Sequence, residues 1–240
     1  MSKIIILSGA GISAESGIST FRDSGGLWDE YDVNVVCNYD SLKKNEKLTL
    51  EFYDKRRADL KHKKPNHAHN ILAKLKQKYP DDIALITQNV DDLFEKTTLT
   101  RDDVLHLHGF LTEVSCRNPR CSTIYDIGYN KIYNFNDGRC LECNSRLRPN
   151  IVFFGERAPE YEKLYKAFAE CEMFVVIGTS GAVIQTDSFL NAKIKRSILN
   201  NLEPSDSIND KRYSKVLFKP ASEAIDEIAM DIEDFLTQGI

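Results

Sequence analysis

Four cysteines stand nearest to a defined chemistry: Cys116 and Cys121 form a C-x4-C pair, Cys140 and Cys143 a C-x2-C pair. Two such turns deliver four thiolates to a tetrahedral zinc ion and leave no position open for water, so the site would fold a small lobe rather than catalyse. Four unrelated buried thiols would fit the pairing and its polar setting poorly. Cys37 and Cys171 fall outside the set, and Cys171, just before an apolar run, reads as a small core residue. His106 and His108 stand two apart in Val104-Leu105-His106-Leu107-His108-Gly109, which on a strand places both on one face. They would either pair on a metal or divide the work, one packed and the other meeting a cleft beside Gly109 as an acid or base. Gly9-Ala10-Gly11-Ile12-Ser13-Ala14 follows an apolar run, where glycines let backbone N–H groups approach a pyrophosphate at a helix N-terminus. An ordinary tight strand-to-helix turn has the same composition. Gln88-Asn89-Val90-Asp91 ends another apolar run; its amides and carboxylate suit a carboxamide or a ribose, or simply cap a turn. Tyr53 and Arg56, three apart, share a helical face and could converge on one small anion, unless the run is a solvated basic face.

These groups need a scaffold. The runs Ile4–Leu7, Ile83–Ile86, Ile151–Phe154 and Phe174–Ile177 have the continuous apolarity of parallel strands covered on both faces. Helical spacing appears between them, in Ala68, Ile71, Leu72 and Leu75 after Pro65-Asn66 and in Tyr161, Leu164, Tyr165 and Phe168 after Pro159. A last helix follows Pro220, with Ile225, Ile228, Ile232 and Phe235 on one stripe. Alternation of strand and helix predicts an α/β fold, doubly wound. Residues 29–64, polar and helical in pattern, and 115–148, which hold the four paired cysteines, interrupt that rhythm as insertions forming a smaller module.

Composition narrows the partners. With 42% hydrophobic residues in 240, the chain can bury a substantial core. Its 32 basic and 36 acidic residues are mixed along the sequence, which argues against nucleic acid as a direct partner. No apolar stretch approaches the ~20 residues needed to span a membrane. We expect a cytoplasmic monomer, whose reducing surroundings favour metal ligation over disulfides. An ordinary dehydrogenase is disfavoured, because no acidic residue ends an obvious second strand ~20 residues after the glycine loop.

Taken together, Gly9-Ala10-Gly11-Ile12-Ser13, Thr20-Phe21-Arg22, Gln88-Asn89-Val90-Asp91, His108-Gly109, the cysteine pairs, Phe154-Gly155-Glu156, Gly178-Thr179-Ser180 and Asn201-Leu202-Glu203 resemble, in order and spacing, the sirtuin family of NAD-dependent protein lysine deacylases. The resemblance runs from the first strand to about Ala221. It implies a Rossmann-like parallel-sheet domain (residues 1–30, 66–114 and 149–240) with an inserted zinc-ribbon and helical lobe (31–65 and 115–148). NAD would be held by Gly9, Ala10, Gly11, Ile12, Ser13, Ala14, Thr20, Phe21, Arg22 and Trp28 of the loop. Gln88, Asn89 and Asp91 would line its ribose and nicotinamide pocket, and Gly178, Thr179, Ser180, Asn201, Leu202, Glu203 and Ala221 its adenosine half. His108 matches the general base, and Cys116, Cys121, Cys140 and Cys143 the structural zinc ligands.

The implied chemistry consumes NAD: nicotinamide leaves, the acyl-lysine oxygen captures the sugar carbon, His108 activates a ribose hydroxyl, and water finally releases lysine, ending in O-acyl-ADP-ribose. Glu51-Phe52-Tyr53-Asp54-Lys55-Arg56 is further similar to the Tyr-x-x-Arg segment of the short bacterial-type subgroup that removes succinyl and malonyl groups. There Arg56 and Tyr53 would bind the distal carboxylate. Cys37, at the approximate place of a usual alanine, would narrow the pocket, and Val152, Phe153, Phe154 and Gly155 would supply the opposite wall. Ile184-Gln185 departs from the subgroup's usual tyrosine-proline pair in a strip that pairs with the substrate backbone. That departure leaves ADP-ribosyl transfer or NAD hydrolysis as an alternative, and a non-catalytic NAD sensor as another.

Overall fold

A computed structural model describes residues 3–19 and 31–238. Thr20, Phe21, Arg22 and Trp28 of the expected NAD loop lie outside the described residues. The apolar runs become parallel strands. In chain order the strands are β1 Ile4–Ser8, β2 Ile83–Thr87, β3 Val104–His106, β4 Gly109–Cys116, β5 Ile124–Asp126, β6 Leu147–Ile151, β7 Met173–Ile177, β8 Arg196–Asn201 and β9 Lys215–Phe218. Among the described residues, six form one parallel sheet in the order β3-β2-β1-β7-β8-β9. Chain order reverses at the β1/β7 pair, where Ile4 to Ser8 run in register with Met173 to Ile177. In open α/β sheets of this topology, ligands gather beyond the carboxyl ends of the strands flanking that reversal.

Both faces of the sheet are buried, which explains the unbroken apolar runs. Ile4, Ile6, Leu85, Val175 and Ile177 pack on one side with Ala68, Leu72 and Leu75 of the His67–Lys78 helix and Ile225, Ile228, Ile232 and Phe235 of the Ala221–Gln238 helix. Ile5, Leu7, Phe174, Val176 and Leu199 face the other way, against Leu164 and Phe168. The His67–Lys78 helix begins where the sequence placed it, with Asn66 accepting from the His69 N–H in a capping box.

A second, antiparallel sheet of three strands, in the order β5-β4-β6, carries the cysteines at its end. The 15-residue helix Glu46–Leu60 packs against it, burying Phe52 and Tyr53 with Leu111, Ile151 and Phe153, and Leu50 with Val114 and Leu147. Arg57 of this helix is fully buried and pairs with Asp54, whose carboxylate also accepts the Ile132 N–H.

Two expectations need correction. Residues 151–154 are not a buried parallel strand: β6 ends at Ile151 and is antiparallel to β4. Beyond it the backbone bonds to the helical segment instead, Phe154 N–H to the Cys37 carbonyl and Tyr39 N–H to the Phe154 carbonyl, and Gly155 turns with φ +90°. Phe153 is therefore buried and Phe154 is 49% exposed. His106 and His108 do not share one strand, since β3 ends at His106 and His108 lies in the turn into β4. No helix among the described residues is long and apolar enough to cross a membrane.

Candidate active site

At the sheet reversal two loops meet backbone to backbone. The Gly9 N–H donates to the Ile177 carbonyl at 2.9 Å, and Gly11 N–H to the Gly178 carbonyl at 2.8 Å. A Cβ at Gly9 or Gly11 would lie 2.7 Å from Gly178 or Thr179 atoms, and one at Gly178, whose φ is +65°, would lie 2.5 Å from the Ile12 nitrogen. The glycines thus serve the close approach of the two loops. Their own N–H groups are engaged within the protein. The helix that follows is a single turn, Gly11–Ala14.

Side chains from the neighbouring strand ends fill the space around this junction. Asn89 donates to the Gly9 carbonyl at 3.1 Å and to the Ser13 hydroxyl at 3.0 Å, and Ser13 donates to Asp91 at 3.0 Å. The other Asp91 oxygen accepts the Leu93 N–H. Asp91 thus caps a turn and also ties β2 to the glycine loop. Burial raises the Asp91 carboxyl above its usual range, an effect that the Leu93 and Ser13 bonds oppose. Gln88 reaches across to the Thr179 hydroxyl at 3.1 Å.

The two histidines part company. His106 is buried between the Asn89 carbonyl and Glu95, both at 2.9 Å. His108 places Nδ1 2.9 Å from the Gln88 carbonyl and Nε2 2.9 Å from the Tyr161 hydroxyl. A carbonyl only accepts, so Nδ1 carries the proton and Nε2 keeps the lone pair of a base. Burial holds the ring below its ordinary pKa, partly offset by the Gln88 carbonyl, so it is neutral at pH 7.

Next to the His108 turn, the Val152 N–H donates to the His108 carbonyl at 2.9 Å. Arg148 clamps Glu156 with two bonds of 2.5 and 2.7 Å, and Glu156 accepts the Phe153 N–H, which fixes the Phe153–Gly155 turn. Tyr53 is 1% exposed, meets Phe153 edge-on with centroids 5.5 Å apart, and donates to the Cys37 sulfur at 3.6 Å. The Arg56 guanidinium lies 5.9 Å from the Tyr53 ring centre, and Arg56 is half-buried beside the exposed Lys55. Cys37, Tyr53, Arg56 and Phe153 therefore converge. On the far side, Gly178–Ser180 lies beside Asn201 through the Gly178 N–H to Asn200 carbonyl bond of 2.8 Å. Leu202 is 72% exposed at the end of β8, and Ala221 starts the last helix.

The four paired cysteine sulfurs lie within 4.8 Å of one another. A tetrahedron of sulfurs at the ~2.3 Å zinc–sulfur distance has edges of about 3.8 Å, so the donor set fits one zinc ion. Cys171 is fully buried and donates to the Met173 carbonyl, as a core residue would.

A model of the Sir2 family matches residues 9–185. The chain belongs to the Sir2 family. Among its relatives, a NAD-dependent protein deacylase of Campylobacter jejuni is 48% identical over 100% of this chain and 99% of its own. Another of that description from Helicobacter hepaticus is 40% identical over 98% and 99% of the two chains. A solved Sir2 homologue in complex with NAD superposes with a TM-score of 0.83 at 30% identity, covering 98% of this chain and 91% of that one. NAD is thus a ligand within the family. This Sir2-family chain also has site residues that sequence reading passed over: Tyr161 on His108, Arg148 on Glu156, and Asn200, which donates to the Leu217 and Lys219 carbonyls beneath Asn201. Arg148 could have been sought as the partner of Glu156; nothing local marks Tyr161, which comes from 53 residues away.

Proposed function

We propose that the chain is a NAD-dependent protein lysine deacylase, active on succinyl- and malonyl-lysine and also on acetyl-lysine, yielding nicotinamide, lysine and O-acyl-ADP-ribose. The observation that carries this reading is His108, a half-buried imidazole beyond the carboxyl ends of β2 and β3 whose basic nitrogen is turned away from its backbone anchor at Gln88. NAD supplies a glycosidic bond that becomes electrophilic at the ribose as nicotinamide leaves. Asn89 and Asp91, held by Ser13 and the Gly9 carbonyl, orient the carboxamide and ribose. Gly178 to Ser180, Asn201 to Glu203 and Ala221 receive the adenosine half. His108 then accepts the proton of a ribose hydroxyl at Nε2, which lets that oxygen attack the captured acyl carbon; a water molecule then supplies the second oxygen of the ester as lysine leaves.

Residues 31–65 and 115–148 form the smaller lobe in this reading. Cys116, Cys121, Cys140 and Cys143 hold a zinc ion that joins two turns, and no proton or substrate passes through it. Acyl preference rests on Arg56 and Tyr53 beside Cys37, with Phe153 as the opposing wall. The deciding experiment incubates purified protein and NAD with acetyl, malonyl and succinyl forms of one lysine peptide and reads the masses. Loss of the acyl group with matching O-acyl-ADP-ribose, abolished in His108→Ala, is expected. Unchanged peptides refute the proposal, and ADP-ribose without deacylated peptide assigns NAD hydrolysis instead.

A further inference from the structure

One of the two hydrogen bonds that hold His108 comes from outside every motif. Tyr161 opens the helix Tyr161–Ala167, and its hydroxyl meets the imidazole nitrogen that keeps the lone pair. A phenol O–H is the donor that such a lone pair accepts. The rings also pack, with centroids 5.9 Å apart, and Tyr165 meets Tyr161 edge-on at 6.5 Å. Leu164 anchors the helix by complete burial, while Tyr161 itself is half-buried. The helix is only seven residues long and follows the Gly155 turn.

We propose that Tyr161 is a positioning residue of the deacylation: a phenol cap that holds the base nitrogen of His108 until bound NAD and acyl-lysine displace it. This rests on the reading of His108 as the base. Nε2 has one in-plane lone pair and cannot accept from Tyr161 and from a ribose hydroxyl at once. The cap and the reacting hydroxyl therefore compete for one site. Until displacement, the bond fixes the ring in the tautomer and orientation that the reaction requires.

The ionisable groups on the surrounding elements are otherwise engaged. Asp91 is bonded to Ser13, His106 to Glu95, Glu156 to Arg148, and Tyr165 packs at a tilt against Phe189 and edge-on against Tyr161. Protonation turns this bond round, because an imidazolium N–H donates to the phenol oxygen, and that charge-assisted bond is the stronger one, so Tyr161→Phe lowers the pKa of free His108. The difference between a charge-assisted and a neutral hydrogen bond corresponds to a fall of about 0.7–1 pH unit.

The test compares wild type with Tyr161→Phe, which keeps the ring and its packing. His108 is titrated by NMR in the ligand-free protein, and pH profiles of kcat/KM and kcat are measured with NAD and an acetyl-lysine peptide. The variant's free His108 titration and the acid limb of kcat/KM are expected to move down together while the acid limb of kcat stays, because kcat/KM reports the free enzyme and kcat the complex. An unmoved His108 titration, with His108→Ala inactive, overturns the cap alone. Equal displacement of both limbs overturns the displacement step, since the bond would then persist in the complex. Full activity in His108→Ala removes the base reading and this proposal with it.

Discussion

Arg56→Met separates acyl recognition from chemistry. The guanidinium sits at the edge of a buried group, 5.9 Å from the Tyr53 ring centre and 5.7 Å from that of Phe52, while its stem lies on the helix face that covers Phe153. Methionine keeps most of that stem and removes the charge. A partly desolvated charge-assisted bond is worth about 1.5–3 kcal/mol, which converts to roughly a ten- to hundredfold loss in kcat/KM for a succinyl peptide. An acetyl peptide has no distal carboxylate and should change less than about threefold. Tyr53→Phe should cost the succinyl substrate less, about 0.5–1 kcal/mol, because the phenol exchanges its contact with the Cys37 sulfur for the carboxylate. The assay is initial rates on paired peptides of one sequence at subsaturating concentration. Equal losses on both acyl groups would refute the reasoning and make Arg56 a structural residue of the helix.

Other outcomes follow from the same geometry. Gly178→Ala should destabilise the protein by at least about 1–2 kcal/mol in urea unfolding, from its left-handed backbone alone, and raise the KM for NAD, because the new Cβ presses on Ile12. Chelation, or Cys143→Ser, should release one zinc per chain, measured by metal analysis, and abolish protection of β4 to β6 from hydrogen exchange while that of β1 and β7 persists. Burial lowers the His69 pKa to about 4, so the unfolded chain takes up this proton first as pH falls below about 6.5. Stability should therefore decline from pH 6.5 toward 4, by about 2 kcal/mol at pH 5 from this residue, and His69→Gln should flatten that part of the profile in thermal melts.

Much of the fold was legible because its strands are buried on both faces. β1, β2 and β7 are written as unbroken apolar runs, and Asn66 and Pro220 mark helix starts that the structure keeps. β8 escaped notice because Ser197, Asn200 and Asn201 interrupt it, and their burial is possible only through partners such as Ser214 and the Leu217 carbonyl, supplied by distant chain. Residues 151–154 misled for the opposite reason: local apolarity could not reveal that the backbone there pairs with Cys37 and Tyr39. The cysteine set was readable from spacing, since its ligands come as two local pairs. The surroundings of His108 were not, because its partners Gln88 and Tyr161 come from either side of β4 to β6 in sequence. The glycines were recognised for their freedom, yet their use in joining two loops depends on Gly178, far along the chain.

Strand β4 begins at Gly109, beside His108, and ends at Cys116. It works as a ruler between the imidazole and the first cysteine. Lengthening it by one residue would reverse the faces of every side chain beyond the insertion, carrying Val114 out of its core and Cys116 away from its three partners. Between Cys121 and Cys140, β5, Ile127 and Ile132 are held by the small sheet and its core, and the mainly exposed turn at 133–137 carries no such constraint. Length variation among natural relatives should accordingly collect between the two cysteine pairs and spare the eight residues of the ruler.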